Sequence, residues 1–118
     1  MKEFMLLIRT EGDHLAGLQP NEQQNHMQKI SRYIEGLIKE GKLKSAQPLD
    51  MAGVMVSGTR GALKDGPFNE TKEVIAGYFH LLAKDLDEAI KIAKDNPMFD
   101  LGDGKIEVRP IKQIEGIN

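Results

Sequence analysis

Val74-Ile75-Ala76-Gly77-Tyr78-Phe79-His80-Leu81-Leu82-Ala83 is the longest apolar stretch of the chain and reads as a central β-strand. Side chains alternate between the two faces of a strand, so a segment that is apolar at odd and even positions alike is covered on both sides. Phe4-Met5-Leu6-Leu7-Ile8 has the same character and reads as a first strand. From Asn21 the period changes. Met27, Ile30, Ile34, Leu37 and Ile38 recur at steps of three and four and share one face of a helix, with Gln24, Gln28, Lys29, Arg32 and Lys39 opposite. Gly41 follows, where a left-handed cap is favoured.

Residues 44–49 and 54–58 read as two short β segments joined by a hairpin loop at 50–53, with Gly61, Gly66 and Pro67 breaking regular structure after them. Asp85 and Glu88 have capping-box spacing and open a second helix, whose apolar stripe is Leu86, Ala89, Ile90 and Ala93. Asn96-Pro97 stops it. Ile106 and Val108 alternate with Glu107 and Arg109 in a last strand, and Pro110 places that strand at an edge. The order predicts an α+β domain over residues 1–118, a ferredoxin-like β-α-β-β-α-β sheet with two helices on one face.

Two helices leave the other face bare. Four strands at ordinary spacing present on the order of 400 Å² per face. Leaving that area wet would forgo on the order of 10 kcal/mol, as much as the whole stability of a small domain. A second copy of the chain packed face to face is the expected cover, hence a homodimer.

Composition narrows the partners. The 118 residues are 40% hydrophobic and 29% charged, which suits one globular domain. A net charge of −2 gives no basic footprint for nucleic acid, and no apolar run reaches membrane-spanning length. The absence of cysteine excludes disulfides and thiolate chemistry and fits a cytoplasmic location. The N-terminal segment has one lysine, a short apolar run and no small-residue cleavage site, so it reads as a strand rather than a signal peptide.

Asp65-Gly66-Pro67-Phe68-Asn69-Glu70-Thr71-Lys72-Glu73, followed by Gly77-Tyr78, resembles the signature of DGPF-domain proteins within the YCII-related group. The first strand, the Asp85 helix start and Glu107-Val108-Arg109-Pro110 extend the resemblance along the chain. It implies a dimeric α+β barrel. Read physically, Asp65-Gly66-Pro67 is a turn in which Gly66 can take positive φ, and Phe68 is placed to plug the core. Asp65, Glu70 and Lys72 are candidates for the lining of a polar cleft near 65–68, with Tyr78 and Arg109 as further ligand-binding candidates.

In members of the group that resemble enzymes, a histidine on the first helix pairs with an aspartate just before a proline after the second helix. A carboxylate so placed orients the imidazole and stabilises its charged form. Here Asn96 holds the aspartate position and Ile30 falls at the histidine position. His26 lies one turn away and, with Asp65, is a candidate catalytic residue. Glu11, Asp13 and His14 share a loop but lack the helical pairing of zinc motifs, so neither metal nor other cofactor is expected. No nucleophile elbow or phosphate loop occurs. Two function classes follow: a small-molecule binding or accessory protein whose dimer holds a polar metabolite, or a cofactor-independent enzyme doing acid–base chemistry on a small carbonyl or lactone compound.

Overall fold

A computed structural model describes residues 1–12, 15–67 and 73–118. Its elements are β1 (Lys2–Glu11), α1 (Pro20–Lys39), β2 (Leu43–Pro48), β3 (Val54–Ser57), β4 (Lys64–Pro67), β5 (Glu73–Ala83), α2 (Leu86–Lys94), a 3₁₀ helix (Pro97–Leu101) and β6 (Lys105–Pro110). The main sheet has the order β2-β5-β1-β6, antiparallel throughout. The two doubly apolar segments are its central strands, and the proline-ended β6 is at an edge.

Residues 44–49 and 54–58 do not form a hairpin with each other, contrary to the pattern read from sequence. β2 pairs with β5, while β3 pairs with β4 in a separate two-stranded ribbon. Asp65-Gly66-Pro67 is therefore strand, not turn. Positive φ falls instead on Gly58 and Gly61, at +114° and +91°. A Cβ on Gly58 would stand 2.4 Å from the Ala62 carbonyl oxygen, so the tight turn needs glycine there. Phe68 lies outside the described residues. The ribbon pairs with neither edge of the main sheet, and its Val54, Met55 and Val56 are all exposed. A radius of gyration of 16.4 Å exceeds the roughly 13–14 Å of a compact chain of this length, as a projecting ribbon requires.

The helices cover one face of the sheet. α1 ends in a Schellman motif, with Lys42 N–H donating to Leu37 O and Gly41 N–H to Ile38 O, and Gly41 at φ +70°. Asp85 caps α2 by accepting from Glu88 N–H at 2.9 Å, and the Glu88 carboxylate reaches back to Lys84 N–H at 3.0 Å, one residue beyond the box position. Leu6 and Leu81 are fully buried, with Phe4, Phe79, Leu37 and Ile92 around them. The Tyr33 hydroxyl donates to Ile92 O at 2.5 Å and joins α1 to α2. Burial, with Asp95 nearby, pushes the Tyr33 phenol well above its usual range, so it stays protonated and keeps donating.

Both helical stripes are rotated from their sequence reading. On α1, Ile30, Ile34 and Leu37 face inward as read, but Met27 and Ile38 are 50% and 58% exposed, and His26 and Tyr33 face inward in their place. On α2, Leu86 is exposed and Ile92 buried. Hydrophobic spacing alone leaves two adjacent faces nearly equivalent, and packing against β5 decides between them. Leu81→Ala should therefore cost about 2–5 kcal/mol and Ile38→Ala less than about 0.5 kcal/mol in chemical denaturation. Equal losses would restore the stripe as first read.

Candidate functional site

β1 and β5 slip register once. Ile8 pairs with Gly77 and Arg9 with Ile75, which leaves Ala76 as the extra residue of a bulge. Bulges re-aim side chains and concentrate beside functional sites. Along the helix-facing side of β5 the sequence runs Ala83, Leu81, Phe79, Gly77, all buried. The last position has no side chain to fill the layer. Gly77 is also where β2 comes close, since a Cβ there would lie 2.8 Å from the Gln47 carbonyl oxygen.

A cavity of about 290 Å³ opens at this place, bounded by α1, the sheet and the chain entering the 3₁₀ helix. Ile8, Ile30, Ile34, Phe79 and Met98 are among the apolar residues of its wall. Four polar residues border it: Ser31 and Gln47, both exposed at its rim, and two buried ones. His26, from the first half of α1, is 4% exposed, and Asn96, just before the 3₁₀ helix, is 3% exposed. Asn96 accepts the Met98 N–H on Oδ1 at 2.9 Å, which caps that helix and holds the amide in place. Its Nδ2 is buried and has no hydrogen-bond partner among the described residues. Such a donor costs about 1–3 kcal/mol. The arrangement suits a small, mainly apolar molecule with a polar end.

Three of the sequence-derived ligand candidates lie elsewhere. Asp65 is exposed on β4, and Tyr78 and Arg109 lie on β5 and β6 on the sheet face opposite the helices. None of the three borders the cavity. Glu70 and Lys72 lie outside the described residues, as do Asp13 and His14. Among the described residues no group of three or more His, Asp or Glu side chains is gathered as for a metal ion. His26 was visible in the sequence, since 26, 30 and 34 are spaced for one helical face. Asn96 was visible only as a helix stop, because nothing local tells that its amide would be buried.

The open face carries a second polar cluster. Glu3 accepts from Lys44 Nζ at 3.1 Å and Gln113 Nε2 at 3.1 Å, and its Oε1 lies 2.7 Å from His80 Nε2. Arg9 pairs with Glu107 at 2.9 Å, and Lys105 with Glu73 at 2.9 Å. Between the clusters Met5, Leu7, Tyr78 and Leu82 are half-buried. Bonds from Lys44 and His80 hold the Glu3 carboxyl below its usual range.

The YCII-related domain family matches residues 2–115. The chain belongs to the YCII-related family. A curated relative, an uncharacterized protein of Rhizobium meliloti (strain 1021), is 43% identical over 47 residues, covering 40% of this chain and 38% of that protein. The match thus spans well under half of the relative's length. Among solved structures, 5-chloro-2-hydroxyhydroquinone dehydrochlorinase from Burkholderia phenoliruptrix AC1100, in complex with 2,5-dihydroxybenzoquinone, superposes with a TM-score of 0.55. The alignment covers 95% of this chain and 94% of that one at 16% identity, a likeness of fold. Among the described residues no helix is long and apolar enough to cross a membrane.

Glu3 supplies a test by pH. Its lowered folded value means that its contribution to stability is present above the unfolded glutamate range, near 4.5, and fades as pH falls through the folded value. Wild type should melt above Glu3→Gln at neutral pH, and the gap should close in acid. A gap independent of pH would show that the carboxylate's charge contributes nothing.

Proposed function

We propose that this YCII-related chain binds a small molecule in the cavity between α1 and the sheet, with His26 and Asn96 as its polar contacts, and that it acts in the cytoplasm as a homodimer. One observation carries the binding reading. Two polar side chains from distant parts of the sequence, both more than nine-tenths buried, share a largely apolar cavity whose other polar residues, Ser31 and Gln47, are exposed at its rim. Structure alone would be served more cheaply by aliphatic side chains there.

An acid–base enzyme is the second reading, and His26 favours it. A buried imidazole in a cavity is a reasonable proton carrier. Asn96 weighs against it. An amide can orient a ring or a ligand, but it cannot supply the negative charge that a carboxylate at this position would lend to an imidazolium. Binding is therefore the better-supported reading.

The dimer is supported by the half-buried Met5, Leu7, Tyr78 and Leu82, which no helix covers, and by the exposed apolar side chains Val54, Met55 and Val56 of β3 in the ribbon. Two-stranded ribbons are marginal alone in water. A polar cleft around Asp65 would need this same second copy to close it, because Asp65 itself stands on that ribbon.

The dehydrochlorinase ligand, 2,5-dihydroxybenzoquinone, is a small planar ring with oxygens at its edge, and it is the natural first probe. It should raise the melting temperature saturably. Ile30→Trp, which fills the cavity from α1, should abolish the effect, while Asp65→Asn and Glu70→Gln leave it intact. The opposite pattern would move the site to the 65–68 segment. Sedimentation should give twice the 13.1 kDa chain mass, and Leu7→Lys should yield a monomer or an aggregate. A wild-type monomer at every concentration would contradict the dimer.

A further inference from the structure

The Asn96 side chain is committed at one end only. Oδ1 accepts the Met98 N–H at 2.9 Å, and this bond decides which end of the amide is oxygen. Nδ2 must then be the end that offers protons. It is buried and has no partner among the described residues, in a residue only 3% exposed. Native proteins satisfy nearly all buried donors, and one left unmet has given up water for nothing. The cavity wall is mainly aliphatic and aromatic, and none of the described residues, the lining Ser31, Gln47 and His26 included, accepts a hydrogen bond from Nδ2. What the site lacks is an acceptor.

We infer that the ligand is a small, largely apolar compound carrying an acceptor oxygen, a carbonyl or enolate, and that Asn96 Nδ2 donates to that oxygen. This rests on the binding reading above and adds the chemical class of ligand and the residue that recognises it. Selectivity follows from the same geometry. A site built to donate rejects an isostere without the acceptor, because its own donor then stays unpaired. The asparagine sets the sign. Ionised aspartate at 96 would still cap the 3₁₀ helix, but it would turn lone pairs toward the ligand oxygen and repel it.

Acetophenone and α-methylstyrene test this, since they share ring and outline and differ in C=O against C=CH₂. Calorimetric or NMR titration of the wild-type protein should show acetophenone binding about tenfold tighter or more, the ratio expected of one sealed hydrogen bond. Asn96→Asp, assayed above neutral pH, should keep the fold and bring that ratio close to one. Asn96→Ser, which keeps a capping oxygen but shortens the side chain, should do the same without adding charge. In the wild type, the side-chain NH₂ signals of Asn96 should move with acetophenone and not with α-methylstyrene. Equal binding of both compounds with a still Asn96 signal would overturn the donor role and leave the cavity a binding site. Binding of neither compound up to their solubility would overturn both readings.

Discussion

Everything else in this fold hangs on the antiparallel ladder between β1 and β5. These are the two central strands, so each needs cover on both faces, and their shared register fixes where every other element sits. On one side the ladder supports Leu6, Leu81, Phe4 and Phe79, the layer on which both helices rest. On the other it presents Met5, Leu7, Tyr78 and Leu82 to whatever lies opposite. The single slip in the ladder, at Ala76, comes where the core layer runs out of side chain at Gly77. The cavity is a consequence of those two residues.

That origin explains the chemistry of the cavity. A gap beneath a helix in a packed core is lined by what the core is made of, and here that is isoleucine, phenylalanine and methionine. The polar groups come from elements that reach in from its edge. His26 belongs to the inward face of α1, and Asn96 belongs to the cap that starts the 3₁₀ helix after α2. Each serves the fold while bordering the site. The capping bond of Asn96 fixes its orientation without occupying its donors, so a structural hydrogen bond leaves a recognition group in place.

Much of the fold was legible in the sequence because its signals are strong and local. Double-sided apolar runs mark central strands, and Asp85, Gly41 and Pro110 each mark a boundary by their own backbone chemistry. The errors came where sequence gives two near-equal answers. Residues 44–49 and 54–58 look like partners because they are adjacent and extended, yet β2 gains more by joining β5 in the covered sheet. Gly66 beside Pro67 looks like a turn, yet Gly58 and Gly61 carry the positive φ. Met27 and Ile38 lie on the margin of the apolar face, and packing left them outside. The site was harder still. His26 could be placed on a helical face, but only tertiary structure brings it to the same cavity as Asn96, 70 residues on.

The function proposed for this fold requires that a ligand enter between α1 and the sheet with Asn96 at its polar end. Isotope-filtered NMR on methyl-labelled protein with acetophenone observes this directly. Contacts from the ring protons to the methyls of Ile8, Ile30 and Ile34 are the predicted result. Contacts to Met5 and Leu7 on the open face, with the cavity methyls silent, would contradict it.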